Sequence, residues 1–570
     1  MNGRAAPPAG QMTVSEAIRQ AIAWHHAGRH ADAERVYRAV LEVAPDQFDA
    51  LHLLGVLCAQ QGHPGEGASL LARAVAAQPQ AADAHANYAN VLKSLGRHDE
   101  ALRHCEIALS HKRGHAGIEH IRTGILLDLA RHADALASAD AVIAVDPKLA
   151  EGHYHRAVAL QALGRHGEAL ASYDNALRLA PGLAPAHNNR ANLLRLDGRL
   201  DAALAAAIAA TDAAPRYVLG WNTRAGVEYV LGRHADAVAS ADRALALQRD
   251  FVEALRIRGA ALKELGRFDE ALATLDRALA LSPGHVASTL DRAFTLAALR
   301  RNDEALALFD GVLVRNGERI EALQGRAVAL HQMGRFDDAL AAYDAVLAKQ
   351  PAYAPAGNGR AGVLRALGRQ EEALAAWRAI AQATPGLAEV HHNVGSACFE
   401  LGRHAEAVEA YDRVLALRPD HRQALHNRSA ALAHLLRFEE SLATCDRLLA
   451  LDPEYAEAHH NRGSVLSSLH RFTEAAAAYD AALARKPDFV SSLQNRASVL
   501  AYLGRHDEAA RDFAQVLALD PEFPWVQGAL LASQLHCCDW RDYETATAAL
   551  EAAALADDAG DDDRLEGPPA

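Results

Sequence analysis

A Gly-Arg pair returns along this chain at one fixed interval or a whole multiple of it. It stands at Gly28, Gly96, Gly164, Gly198, Gly232, Gly266, Gly334, Gly368, Gly402 and Gly504, each followed by Arg, and the step from Gly164 to Gly198 is the unit of the series. Filling the gaps places fifteen units over 14–523 without an insertion or deletion. A second marker keeps the same phase. Seventeen positions after the glycine stands proline in twelve of the fifteen units, the exceptions being Arg113, Arg249 and Gly317. A period this strict identifies a stack of one small structural unit and excludes a few independent globular cores.

The unit Ala456–Phe489 shows what is repeated. Leu466 and Leu469 continue one apolar i, i+3 face, and Ala475, Tyr479, Ala482 and Leu483 form a second. Two helices are expected, joined at the Gly-Arg pair, where glycine accepts the positive φ of a helix end. Proline then blocks continuation of the second helix. Gly463 and Ala475 mark the close approach of the two helices. One such hairpin cannot bury its own apolar faces, whereas stacked neighbours can. The expected fold is all-α, an α-solenoid.

Composition agrees. Half of the residues are hydrophobic but only 5% are aromatic, and the abundant alanine favours helix over strand. Acidic residues (72) outnumber basic ones (58), a net charge of −14, which argues against nucleic acid as a partner. Met1–Gln11 has no apolar signal-peptide core. No apolar run is long enough to span a membrane, and six scattered cysteines suit a reducing compartment. A cytoplasmic location is expected.

These residues resemble the tetratricopeptide repeat family over 14–523. With Ala456 as position 1, the family's small residue at position 8 is Gly55, Ala89, Ala157, Ala191, Ala225, Gly259 or Gly463. Its alanine at position 20 is Ala33, Ala101, Ala135 and so on, with Gly67 and Ser441 the departures. Its aromatic at position 24 is Tyr37, Tyr173, Phe309, Tyr343, Trp377, Tyr411, Tyr479 or Phe513. The resemblance implies a right-handed superhelix of fifteen hairpins whose first helices line a concave groove that holds extended peptides. One departure is Arg at position 7 in eleven repeats. Nine repeats have Asp at position 25 and eight have both, such as Arg258 with Asp276 and Arg462 with Asp480. This reads as a structural row of ion pairs.

Signs of chemistry are weak. Gly357–Gly362 matches G-x-G-x-x-G but falls inside a first helix, without the strand a dinucleotide site needs. Seven histidines (His30, His98, His132, His166, His234, His404, His506) follow the Gly-Arg turn, where Phe268, Phe336, Phe438 and Phe472 stand in other repeats. The slot is therefore for packing. Cys58, Cys105, Cys398 and Cys445 take core positions, and the adjacent Cys537 and Cys538 lack metal-ligand spacing. No catalytic, cofactor or metal residue is assigned.

The candidate binding residues are at position 6 of the first helix: Asn87, Asn189, Asn393, Asn427, Asn461 and Asn495, the last four in consecutive repeats. His392, His426 and His460 run beside them at position 5. Asparagine is mildly unfavourable in mid-helix, so the row either bonds to a neighbouring helix or forms a clamp for peptide main chain.

Beyond Phe523 comes His536-Cys537-Cys538-Asp539-Trp540-Arg541-Asp542-Tyr543. It resembles the segment joining the repeats to the catalytic half of bacterial O-GlcNAc transferase-like (SPINDLY-type) proteins, and the asparagine row is similar to that family's substrate-gripping ladder. The organisation expected is a disordered 1–13, repeats over 14–523, a helical cap or linker over 524–555 and an acidic disordered tail over 556–570. The expected function is a non-catalytic scaffold or adaptor binding a protein or peptide in the groove. The alternative is the substrate-recognition part of an O-GlcNAc transferase-like system, truncated from its catalytic domain or acting with a separate one. The sequence sets neither the partner nor the oligomeric state.

Overall fold

The computed structural model describes residues 13–548 apart from 318, 522, 524, 542 and 546. The expected disordered lead, save Thr13, and the acidic tail lie outside the described residues. Thr13 itself belongs to the fold: it caps the first helix in a reciprocal capping box with Glu16. Regular structure among the described residues is entirely helical. Every first helix covers positions 1–13 of its repeat, as in Val14–His26 and Val490–Tyr502. Every second helix begins at position 17, as in His30–Val43 and His506–Leu519. The helices form an α-solenoid of stacked hairpins, in two compact units that divide between Thr295 and Leu296. Within each unit the core is a succession of buried clusters, each shared by a few adjacent repeats.

The turn inside each hairpin follows from the backbone groups a helix end leaves open. In repeat 1 the N–H of Gly28 donates to the C=O of His25 (3.0 Å) and that of Arg29 to Trp24 (2.8 Å), the Schellman pattern. It requires a positive φ at position 15, and Gly28 has φ 73°. Ala130, Arg300, Leu436 and His470 adopt it without being glycine, at φ 55–61°. A side chain there costs ~1–2 kcal/mol, offset in part by the lower unfolded entropy of non-glycine residues. Leu436→Gly and His470→Gly should each raise stability by ~0.5–1 kcal/mol, read as a higher denaturant midpoint, whereas the reverse change Gly402→Ala should lower it.

Side-chain size sets the hairpin spacing. All thirteen alanines at position 20, from Ala33 to Ala509, are fully buried. The aromatic at position 24 lies over position 8 of its own repeat: a Cβ on Gly395 would sit 2.6 Å from Tyr411, and one on Gly463 2.7 Å from Tyr479. It also reaches position 6 of the next repeat, where a Cβ on Gly359 would meet Tyr343 at 2.3 Å. Interiors packed this closely leave no slack for an added methyl group. The G-x-G-x-x-G stretch is accordingly helix, within Ala354–Ala366, with Gly359 serving the Tyr343 ring.

The expected ion-pair row exists, in a different register. Arg at position 7 does not pair with the position-25 Asp of its own repeat. Arg258 bonds Asp242 and Arg462 bonds Asp446, each in the preceding repeat, at 2.7 Å. All nine Asp residues at position 25 are matched in this way by the Arg of the following repeat. The row thus links hairpins to one another. The reason is stacking: position 7 packs against the preceding second helix. Arg at position 16 forms another series at the start of the second helix, pairing with the acid three positions on, as in Arg97–Glu100 and Arg369–Glu372. There the acid also favours the positive helix N-terminus.

Past Phe523 the register continues. Helix Val526–His536 packs on the second helix of repeat 15. Cys538, one full repeat after Gly504, has φ 58°, and Asp539 N–H closes the same turn onto Gln534 C=O at 2.9 Å. His536 stacks on His506 with ring centroids 4.2 Å apart, as His434 stacks on His404 at 4.5 Å, and Tyr502 packs at a tilt on Phe472 at 4.1 Å. In these three repeats the slot after the turn packs against a ring of the next first helix.

Candidate functional site: the first-helix face of repeats 12 to 15

First helices in the second unit touch their successors, and positions 5 and 6 meet at the junctions of repeats 11–12, 12–13 and 13–14. Asn427 Nδ2 donates to His392 Nε2 and Asn461 Nδ2 to His426 Nδ1, both at 3.4 Å. Asn393 Nδ2 donates to Asn358 Oδ1 at 3.4 Å. Asn495 stands beside the Tyr479 hydroxyl, and Asn427 beside that of Tyr411. In the first unit Asn87 bonds His52 Nε2 at 2.8 Å and Asn189 the Tyr154 hydroxyl at 3.3 Å. One N–H of five of the six amides is therefore spent on the preceding repeat. All six asparagines remain half-buried.

The histidines are held by the residue that ends each repeat. His392 lies 5.4 Å from the His421 ring, His426 5.7 Å from Tyr455 and His460 4.9 Å from Phe489. His460 Nδ1 also contacts Ser492 Oγ at 2.8 Å. Burial lowers the pKa of all three, so His392 and His426 are neutral near pH 7 and keep a lone pair for the asparagine that donates to it. The structure thus brings His392 to Asn427 and His426 to Asn461, each histidine facing the asparagine of the next repeat.

Two clefts open between these helices. Ser396, Phe399, Tyr411, His426, Asn427 and Ala430 line one, between repeats 12 and 13. Ala430, Ala433, His434, Asn461, Ser464 and Ser468 line the next, between repeats 13 and 14. The acids at the margins are neutralised: Glu400 by Arg365 (3.3 Å), Glu389 by Arg418 (2.7 Å) and Glu457 by Lys486 (3.7 Å). The face is therefore polar but carries little net charge.

A further recurrence is not picked out by the motif reading of the sequence. His85, His153, His187, Trp221, His391 and His459, all at position 4, donate a ring N–H to the C=O of the proline six positions earlier, at 2.9–3.1 Å. Its signal is the repeated His or Trp at one position, six places after Pro. It fixes the entry of these six first helices and belongs to the scaffold.

Hairpins of this length, with small residues at positions 8 and 20 and an aromatic at 24, define a repeat solenoid. Tetratricopeptide repeat models match residues 26–66, 59–116, 188–250, 222–286, 324–388 and 460–524, 262–328, and 150–183 and 388–421. The chain belongs to the tetratricopeptide repeat family. Among curated proteins none matches it in sequence. Similar solved structures include the APC/C hetero-tetramer Cut9–Hcn1, at 15% identity over 85% of this chain and 96% of that one, with TM-score 0.40. Naa15/Naa10 bound to HypK-THB is 12% identical over 92% and 97%, TM-score 0.35. A tetratricopeptide repeat protein from Parabacteroides merdae is 17% identical over 44% and 98%, TM-score 0.37. Likeness at this level says nothing of function. Among the described residues no helix is long and apolar enough to cross a membrane.

Proposed function

We propose that the chain is a non-catalytic scaffold or adaptor whose first-helix face in repeats 12–15 holds an extended segment of a protein partner. The observation that carries this reading is the row Asn393, Asn427, Asn461 and Asn495, one amide per repeat in four consecutive repeats. Asn461 Nδ2 also approaches Ser429 Oγ at 3.5 Å, and its carbonyl is the group left for a ligand; amide groups of this kind pair with peptide bonds whatever the side chains are. Gln423 already engages the carbonyl of Asn427 at 3.1 Å, so that rung opens only when Gln423 moves aside.

Peptides selected from a displayed random library on the intact chain test the reading. The four-fold Asn→Ala variant should bind them at least tenfold more weakly, ~1.4 kcal/mol. It should also melt lower, because each lateral hydrogen bond contributes ~0.5–1.5 kcal/mol. Affinity per folded molecule is therefore the deciding quantity. If it is unchanged, the asparagines only join repeats.

The alternative role in an O-GlcNAc transferase-like system is supported by the segment around Cys537-Cys538-Asp539-Trp540 and by the asparagine row. The chain incubated with UDP-GlcNAc and peptides should release no UDP. Turnover by the chain alone would overturn both readings, since neither places a catalytic domain on it.

A further inference from the structure

We propose that the segment held on this face is an uncharged polyproline II strand, read once every three residues. The proposal rests on the groove reading above and adds the ligand's conformation and period.

The argument is one of matching lengths. Neighbouring packed helices lie ~8–10 Å apart, so the asparagines recur at about that step. The clefts do too: Ala430 lines both, forming the wall between them. A polyproline II strand rises ~3.1 Å per residue with three residues per turn, a repeat of ~9.3 Å. A β-strand returns a side chain to the same face every two residues, ~6.6 Å, and next at four, ~13 Å. An α-helix repeats every ~5.4 Å. Only the polyproline II period falls within the helix spacing. That conformer also forms no internal hydrogen bonds, so every third peptide unit can meet the open side of an asparagine amide.

The clefts state the side-chain chemistry. Their walls are Ala430, Ala433, Phe399 and Val465 with hydroxyl groups from Ser396, Ser464 and Ser468, and the marginal glutamates are paired. Each cleft suits a proline or aliphatic side chain, since the one acid that lines them, Glu400, is already paired with Arg365 at 3.3 Å.

The test uses fluorescent synthetic peptides of equal length and composition, in which leucine recurs every second, third or fourth position on a proline, serine and glutamine background. Each is titrated with the full chain. Period three should bind at least tenfold more tightly than the other two and lose at least tenfold with the four-fold Asn→Ala variant. Ala430→Met, which fills the shared wall of both clefts, should abolish the period preference while the thermal melt stays in place. Preference for period two or four, indifference to spacing, or an unaffected Ala430→Met overturns the proposal. Asn-dependent binding of the wrong period overturns the period alone. Binding that ignores the asparagines in every series defeats the groove reading, and the proposal with it.

Discussion

Arg496→Ala should destabilise the chain by ~2–4 kcal/mol, whereas Arg462→Ala costs under ~1 kcal/mol. Both arginines belong to the row that joins successive hairpins, but their partners differ in burial. Arg462 bonds Asp446, which is 53% exposed and readily solvated when the arginine is gone. Arg496 bonds Asp480 at 2.5 Å and also grips both oxygens of Asp512 at 2.7 Å. The Asp512 side chain is only 8% exposed, and its position holds Ser172, Thr274 or Thr444 where other repeats bond the same arginine. Removing Arg496 leaves a buried charge without its partner. Denaturant midpoints at pH 7 check the contrast. Adding Asp512→Asn to Arg496→Ala should recover most of the loss, since the orphaned charge is removed, and equal midpoints for the two single variants would refute the account.

Acid should destabilise the chain well above the pH at which carboxylates titrate. Burial, with His120 and Lys93 nearby, pushes the pKa of His155 down to about 4. His52, His85, His104, His120 and His426 are also lowered, chiefly by burial. His85 Nε2 bonds the C=O of Pro79, so its Nδ1 accepts the Nδ1–H of His104 at 2.8 Å, an arrangement that two protonated rings would break. These folded pKa values lie below the unfolded value of ~6.5. Below pH ~6.5 the unfolded chain therefore binds protons that the folded chain refuses. Stability is full above that pH and falls as pH drops toward 4. His155 alone accounts for ~2 kcal/mol between pH 7 and 5. Urea midpoints from pH 7.5 to 4.5 should fall steadily, and His155→Gln should flatten the slope by about that amount. Parallel slopes would exclude His155 as a major source.

The repeat, its helices and its turns are legible in the order of the residues. Glycine at position 15, alanine at 20 and proline at 32 act through their own backbone and volume, so their roles are local. The left-handed turn can therefore be located from Gly28 to Gly504, and the small-residue contacts at Gly463 and Ala475 can be read in advance. What lies between repeats is another matter. Arg258 has Asp242 before it and Asp276 after it at similar separations, and only the stacking of hairpins selects Asp242. The same holds for the asparagine row. Its members are visible at position 6, but the partner of Asn427 is His392, one helix over in the preceding repeat. That pairing spends an N–H of the amide on the neighbouring repeat, which the residue order does not show. The turn at Cys538 is hidden because it lacks glycine, and the packing of Val526–His536 on repeat 15 holds the backbone where the residue alone would not place it. Backbone preferences are written residue by residue, whereas the choice among equally spaced partners depends on which helix faces sit against each other.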